Sequence, residues 1–461
     1  KNLSTINSPQ SAIKALENED AGIRYHAAWW LGKHRVESAV PKLIECLKDE
    51  KDQTSAGGFP LRRQAARSLG LINDISCTPY LLETFQTNDA QLHEASLRAL
   101  IEINNPACID TLVTYLDKNI KDKPMEALIE ALTTYEAWQS NKKIEPFLTS
   151  SSERIASAAA AYFYKYTDEI NYLSKIHCHL KHSNRFIRQS AAFDLAKIGD
   201  IASTQLILSA EIPNNIKMYS LKSILNKTLS HQRINHDQDL CALKNEQRDI
   251  IIKLDSLVRE NFEGTLSIKD DFINNNETTD KSAAHDNLKY SDILHLLRSR
   301  SIADRNLGIT LLAKNKNFNE LNLSDLYFSE TDQDIKMGLI KAITLKKGSQ
   351  SEAALIDAVG VEIGNHCQGN IRRVAACALG SAALKMHQSK RNIQTILDKL
   401  AWALVEPDDW GLRYSSCLAL EEINEDRAIK ILSQACLLEP DSIVSLRMRI
   451  ALSTEFCLDS L

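Results

Sequence analysis

One hydrophobic pattern recurs along this chain: an aliphatic residue, a basic residue, and then small and apolar residues at helical spacing that end in leucine. The clearest copies are residues 23–32 (IRYHAAWWLG), 61–70 (LRRQAARSLG) and 371–380 (IRRVAACALG). Apolar residues three and four positions apart lie on one face of an α-helix. Each copy therefore predicts a helix that buries one stripe against its neighbours.

The basic residue of this pattern, called the column position from here on, recurs across the chain. Aligned on Arg24, it falls at residues 24, 62, 93, 125, 156, 188, 217, 305, 336, 372, 413 and 447, and nine of the twelve are Arg or Lys. Between the copies lie segments such as 39–47, which supply a first helix for each pair. A repeated two-helix unit is typical of HEAT and armadillo arrays.

The sequence therefore predicts an all-α fold, a curved α-solenoid of HEAT- or armadillo-like repeats with one insertion. The long gap between column positions 217 and 305 marks the insertion, which contains a predicted helix at about 245–260. Residues 274–282 are polar and lack periodicity, which indicates a mobile loop. We predict an N-terminal arm at 1–228, a helical insertion with its loop at 229–290, and a C-terminal arm at 291–461.

Composition and charge agree with this fold and narrow the functional classes. Gly (15) and Pro (10) are scarce among 461 residues, which leaves few turn residues for an all-β fold. A net charge of -5 and a pI near 6.2 argue against a protein that coats nucleic acid. The chain has no run of 18 apolar residues and no apolar secretory signal, so we expect a cytoplasmic protein without a membrane span.

Ten scattered cysteines form no C-x-x-C pair, and we expect them to be reduced and mostly buried. His177, Cys178, His179 and His182 offer potential metal ligands. Their spacing puts them on different helix faces, so we predict no metal site. No phosphate-binding loop, dinucleotide fingerprint or serine-hydrolase elbow is recognisable.

Three segments carry residues that a plain solenoid does not require. In residues 24–30, Trp29 and Trp30 are adjacent and point about 100° apart, so they cannot both enter one helix seam. Residues 408–414 (DDWGLRY) again place an aromatic residue and an Arg at the start of a helix. In residues 365–373 (NHCQGNIRR), His366 and Cys367 lie in a turn immediately before a predicted helix N-terminus, whose dipole favours a thiolate.

These segments together resemble the E/F-type HEAT-repeat phycobilin lyases of cyanobacteria. The resemblance rests on residues 23–33 with Arg35 and Val36, on residues 57–70, and on residues 409–414. It departs from the family pattern at Ile23, His26 and Phe59. Because it covers both arms, the chain looks like a single-polypeptide form related to the phycoerythrin α-subunit lyases.

The resemblance implies attachment of phycoerythrobilin, a linear tetrapyrrole, through a thioether to a cysteine of a phycobiliprotein α-subunit. Phycoerythrin is favoured over phycocyanin as the acceptor. Residues 365–370 are similar to the motif associated with isomerase activity in phycoviolobilin-forming lyase-isomerases, which implies isomerisation to phycourobilin with His366 and Cys367 as catalytic residues. The bilin is then the substrate, and no permanently bound cofactor is expected.

A bilin is flat, apolar across its face and carries two propionates, so its groove should combine aromatic rings with arginines. The bilin-binding candidates are Arg24, Tyr25, Trp29, Trp30, Arg62, Arg63, Arg372, Arg373, Trp410, Arg413 and Tyr414. For an arginine at the column position, the alternative is a ladder of structural ion pairs with acidic residues of adjacent turns. Arg63 and Arg373 lie off the column and escape that alternative.

Two other functions are compatible with the same sequence. One is a phycoerythrobilin lyase without isomerase activity, which differs only in the colour of its product. The other is a non-catalytic HEAT scaffold or chaperone for phycobiliprotein subunits. Composition and repeats alone would indicate no more than a general HEAT adaptor.

Overall fold

The computed structural model describes residues 6–55, 57–231, 240, 243–259, 289–299, 301–315, 318, 321–346, 352–360, 366–388, 392–407 and 409–453. For residues 231, 302, 366–370, 385, 387 and 388 it describes the backbone only. Over these ranges the secondary structure is helical and contains no strand.

The α-helices follow one another with short connections and are numbered here in chain order. They are α1 Pro9–Ala15, α2 Ala21–Lys33, α3 Val40–Cys46, α4 Pro60–Ile72, α5 Thr78–Glu83, α6 Ala90–Ile103, α7 Ile109–Asp117, α8 Met125–Thr134, α9 Asn141–Ile144, α10 Glu153–Thr167, α11 Ile170–His179, α12 Arg185–Ile198, α13 Thr204–Ser209, α14 Asn214–His231, α15 Asn245–Arg259, α16 Tyr290–Leu297, α17 Ile302–Lys314, α18 Leu323–Ser329, α19 Gln333–Leu345, α20 Glu352–Gly360, α21 His366–Gln388, α22 Gln394–Ala403, α23 Trp410–Ile423, α24 Asp426–Cys436 and α25 Ser442–Leu452. Short 3₁₀ segments precede several of them.

Every column position falls inside a helix, most often at its fourth residue. Several of these helices begin after an Asp whose carboxylate accepts hydrogen bonds from the first backbone N–H groups, as Asp20, Asp89 and Asp332 do. Such a cap satisfies donors that the helix itself cannot pair. The predicted all-α fold of HEAT-like repeats is confirmed.

Contacts divide the chain into two units, Lys1–Asp194 and Leu195–Leu461. In the first unit the column helices α2, α4, α6, α8 and α10 pack side by side in chain order. The first four of them are also covered by the shorter helix that precedes each, as α1 covers α2 and α3 covers α4. The predicted arms, with boundaries at 228 and 290, stay a prediction from the sequence.

The core of the first unit is built from the same position in successive repeats. Leu31, Leu69, Leu100 and Leu132 each lie seven residues after a column position, and each is fully buried. Gly70 allows a close approach between neighbouring helices, because a Cβ at this residue would lie 2.8 Å from the Cα of Ala99. The recurring leucine and small residue thus stack one repeat on the next.

In the second unit, α17, α19, α21, α23 and α25 form a similar row of column helices. The insertion helix, predicted at about 245–260, is observed as α15 at Asn245–Arg259. It packs against α21 and α23, and α14 packs against α15 and α25. The polar loop predicted at 274–282 lies outside the described residues.

Among the residues that the structure describes, none of the helices combines the length and the apolar character needed to cross a bilayer.

Candidate functional site

Several side chains at the column position close the turn that leads into their own helix. Arg24 donates to the carbonyl oxygen of Glu19 at 2.9 Å, and Arg188 to that of His182 at 2.7 Å. His93 reaches the carbonyl oxygen of Thr87 at 3.0 Å with its Nε2. Burial lowers the pKa of His93, so its ring remains neutral near neutral pH. The column residue is therefore part of the repeat's own framework.

Each column arginine among the bilin-binding candidates also pairs with a buried or nearby carboxylate. The pairs are Arg24 with Asp52, Arg62 with Glu50, Arg372 with Glu406, and Arg413 with Glu439. All four arginines are at most 6 % exposed. These guanidinium groups also donate to backbone carbonyl oxygens, so their donors are used within the fold and their burial leaves little surface for a ligand. Arg24, Arg62, Arg372 and Arg413 therefore fit the ion-pair alternative and not the predicted bilin-binding role.

Tyr414 was predicted to stack on the bilin, and the structure contradicts this. Its side chain is fully buried, and its hydroxyl donates to Asp255 Oδ1 at 2.6 Å. Arg447 donates to the same carboxylate from its Nε, at 3.1 and 3.0 Å. The insertion helix α15 carries Asp255 and covers the face on which Tyr414 lies. No ring face of Tyr414 is left for a ligand.

Trp410 and Arg373 come together, but as part of a network of ion pairs. Arg373 donates from Nε and Nη2 to Asp409 Oδ1, both at 3.2 Å, and its Cζ lies 6.0 Å from the centre of the Trp410 ring. Lys222 Nζ lies 4.9 Å from the same ring centre and 2.6 Å from Asp441 Oδ2. The expectation that Arg373 escapes structural ion pairing is wrong. Trp410 stays half-buried between cations that already have partners.

Trp29 and Trp30 point to different surroundings, as their 100° separation predicts. Trp30 packs on the apolar core of the first unit, and its ring stacks on His34 with centres 4.0 Å apart. Trp29 instead contacts His26, with ring centres 5.1 Å apart, and lies 5.2 Å from the Nζ of Lys33. Trp29 is thus the tryptophan of this pair that faces away from the core.

Arg63 and Arg67 lie one turn apart on α4. The Arg63 guanidinium donates to the side-chain oxygen of Gln91 and lies against Gly58, where a Cβ would come within 1.7 Å of Nη2. Gly58 is therefore required for this position of Arg63. Arg67 is exposed, and it was not among the residues predicted from the sequence. The sequence could have indicated Arg67, because residues four apart lie on the same face of a helix and Arg63 was already a candidate.

Four of these residues form what we call the aromatic–cationic surface of the first unit: Tyr25 and Trp29 on α2, and Arg63 and Arg67 on α4. They occupy equivalent places, one and five residues after the column positions of two helices that pack side by side. The Ser68 hydroxyl donates to the carbonyl oxygen of Ala28 at 2.7 Å, which fixes the register of α2 and α4. Trp29 and Arg67, adjacent to these residues, therefore lie at the same level.

His366 and Cys367 lie elsewhere than predicted. The helix α21 begins at His366, so the pair belongs to its first turn and does not precede the helix. Residues 366–388 contain no proline and only two isolated glycines, so nothing in this segment prevents the helix from beginning at His366. The side chains of both residues lie outside the described residues.

Several cysteines are buried and free, as the sequence predicts, among them Cys46, Cys77, Cys108 and Cys417. Burial raises the pKa of Cys417 to about 12 and that of Cys46 to about 11. These thiols stay protonated at neutral pH, which suits packing and does not suit nucleophilic chemistry.

Comparison with known proteins places these features in a family. Residues 23–49, which include Tyr25 and Trp29, match the model of the PBS lyase HEAT-like repeat. The chain is 42% identical over 234 residues to the bilin biosynthesis protein PecE of Nostoc sp. (strain PCC 7120), a match that covers 50% of this chain and 92% of the relative. It is 34% identical over 235 residues to the phycocyanobilin lyase subunit alpha of the same organism, covering 48% of this chain and 85% of the relative.

Among solved structures, the complex of CpcE and CpcF of phycocyanin lyase from Nostoc sp. PCC7120 is 31% identical, with a TM-score of 0.48, and the match covers 54% of this chain and 95% of that chain. Fold and surface together define a HEAT-repeat protein with an aromatic and cationic face. The chain belongs to the E/F-type HEAT-repeat phycobilin lyase family. The matched relatives correspond to about half of its length.

Proposed function

We propose that this protein is a phycobilin lyase, which joins a bilin through a thioether to a cysteine of a phycobiliprotein α-subunit. The observation that carries the proposal is the 42% identity to a bilin biosynthesis protein over 92% of that relative's length. The aromatic–cationic surface supports it, because its half-buried or exposed rings and guanidinium groups suit a flat conjugated molecule with two carboxylates.

The nucleophile in this reaction comes from the acceptor protein. Its cysteine sulfur bonds to the ethylidene carbon of ring A, and the thiol proton ends on the conjugated bilin, so nothing is oxidised or reduced. The lyase holds the bilin with one face open to the thiol and assists the proton transfer. The bilin is the substrate in this proposal, and no resident cofactor is needed.

The finer proposal concerns the bilin, the acceptor and the product. The bilin is phycoerythrobilin, the acceptor is the phycoerythrin α-subunit, and the product is phycourobilin, formed in the cytoplasm by a single chain. Isomerisation removes a proton at one carbon and returns a proton at another. His366 suits this acid–base step because its ordinary pKa lies near neutral pH, and Cys367 serves as a proton relay or a transient nucleophile. Support for these roles is the similarity of residues 365–370 to the lyase-isomerase motif.

The test is co-expression with bilin-synthesis enzymes and an α-subunit, followed by the absorption spectrum of the denatured acceptor. We expect covalent phycourobilin with the unaltered chain. The double variant His366→Ala/Cys367→Ala should still attach the pigment but leave it as phycoerythrobilin. The matched control is Cys178→Ala, which removes an exposed thiol elsewhere and should give the unaltered spectrum.

Each alternative has its own outcome in that experiment. Covalent phycoerythrobilin from the unaltered chain indicates a lyase without isomerase activity. A short-wavelength product from the double variant shows that the motif is not catalytic. If the acceptor carries no covalent pigment and the purified chain leaves the spectrum of phycoerythrobilin unchanged, the protein is a scaffold or chaperone and the proposal fails.

A further inference from the structure

Four arginines on the column helices of the first unit have carboxylate partners. Those within ion-pair distance of an Asp or Glu are Arg24, Arg62, Arg98 and Arg154. Arg63 and Arg67 are not paired in this way. Within the described part of the chain, Arg63 has Gln91 as its side-chain hydrogen-bond partner, and the Arg67 guanidinium makes no hydrogen bond or ion pair.

Two like charges four residues apart on one helix repel each other and slightly destabilise the helix. Nothing in the packing of α4 requires a cation at residue 67, because its side chain is exposed. Further along the same row of helices, Arg98 occupies the place equivalent to Arg67, five residues after a column position, and there Glu94 and Glu130 compensate it. Arg63 and Arg67 therefore leave two cations on one face of α4 without a carboxylate partner among the described residues, and both are available to an external anion.

The surroundings of the pair indicate what else the ligand contains. Trp29 lies at the level of Arg67 on the adjacent helix, as the hydrogen bond from Ser68 to Ala28 requires. Tyr25 lies one turn before Trp29 and is 39 % exposed. Two aromatic rings beside two guanidinium groups suit a flat conjugated molecule that carries carboxylates.

We propose that Arg63 and Arg67 bind the two propionates of the bilin, while Trp29 and Tyr25 contact its conjugated system. This rests on the proposed function and adds Arg67 to it as a substrate-binding residue. A guanidinium binds a carboxylate through two parallel hydrogen bonds, so the pair also fixes the orientation of the pigment along the surface. One edge of the bilin is held, and the other is left for the acceptor thiol.

The test compares the purified full chain with Arg67→Gln, Arg67→Lys and Arg185→Gln, titrated with phycoerythrobilin and with its propionate dimethyl ester. Arg185 is the matched control, because it is an exposed arginine at the start of another column helix, α12. We expect the unaltered chain to bind the free acid about tenfold more tightly than the ester. Arg67→Gln should lose most of that preference, Arg67→Lys should keep part of it, and Arg185→Gln should keep it in full.

The proposal is overturned if Arg67→Gln keeps the preference for the free acid, or if Arg185→Gln loses as much. A parallel titration uses the α-subunit without pigment. The proposal is also overturned if Arg67→Gln loses binding of this apo-subunit but not of the bilin, which would assign the surface to an acidic protein segment. Failure of the proposed function is distinguishable, because the chain would then bind the free acid preferentially but form no thioether on any α-subunit.

Discussion

At the scale of single residues, the turn before a column helix is closed by a side-chain hydrogen-bond donor, which need not come from the column position. At column position 125 the residue is Met, and Lys123 supplies a donor to the carbonyl oxygen of Leu116 at 2.8 Å. At column position 156 the residue is Ala, and Lys175 reaches the carbonyl oxygen of Leu148 from another helix. The requirement is thus for a satisfied carbonyl, which any nearby donor can meet.

This requirement predicts a large stability loss at Arg413. Its guanidinium donates to the carbonyl oxygens of Glu406 and Pro407, at 2.7 and 3.0 Å, and pairs with Glu439, which is 2 % exposed. Arg413→Met leaves a buried carboxylate without its partner, so we expect the free energy of unfolding to fall by about 3–5 kcal/mol. Urea denaturation followed by circular dichroism measures this.

A matched control removes an arginine from an exposed pair. Arg427 pairs with Asp398, and both side chains are about half exposed. Arg427→Met should change the free energy of unfolding by less than about 1 kcal/mol. Equal losses for Arg413→Met and Arg427→Met would show that the buried pair has no special part in stability.

Which arginines pair with carboxylates could not be predicted from the sequence, because column and neighbouring positions look alike until the carboxylates are placed. Arg373 and Arg63 occupy the same place in their repeats, yet Arg373 pairs with Asp409 and Arg63 has no carboxylate partner among the described residues. Asp409 lies 36 residues after Arg373, so the difference depends on how one repeat stacks on the next. Sequence spacing does not report that distance.

At the scale of elements, the helix α15 shows what periodicity can and cannot predict. Its existence followed from apolar residues at helical spacing, and Ile250, Ile251, Leu254 and Leu257 are indeed buried. Where it packs did not follow, because its partners are distant in sequence. Asp255 contacts Tyr414 and Arg447, each more than a hundred residues away.

The buried contacts of Asp255 predict that this carboxylate holds α15 against α23 and α25. Asp255→Asn removes the charge that compensates Arg447, which is 3 % exposed, while Glu421 remains as its second partner. We expect faster hydrogen exchange at the amides of 245–259, since the helix should detach more often. Hydrogen exchange with mass spectrometry measures this at peptide resolution.

The control for that experiment lies on the same helix. Asp249 pairs with Lys253 at the surface, and its side chain is 56 % exposed. Asp249→Asn should leave the exchange of 245–259 almost unchanged, because an exposed pair contributes little. If both variants exchange alike, the buried carboxylate does not hold the helix in place.

At the scale of the whole molecule, equivalent tyrosines of the two units differ in their exposure. In the first unit, Tyr25 lies one residue after its column arginine and is 39 % exposed. In the second unit, Tyr414 holds the equivalent place and is fully buried beneath α15. Equivalent faces of two column helices therefore differ in exposure. The helix α15 covers the face that carries Tyr414, whereas Tyr25 remains exposed.

This difference predicts where a bilin leaves its footprint. Hydroxyl-radical labelling with and without phycoerythrobilin should show protection at the exposed Tyr25 and the half-buried Trp29, because a bound pigment covers both rings. Tyr414 is already buried and should be labelled little in either state. Trp402, which is 44 % exposed on α22, serves as the internal reference and should be labelled equally in both. Protection at Trp410 without protection at Trp29 would place the bound pigment on the second unit. That result would contradict bilin binding at the aromatic–cationic surface of the first unit.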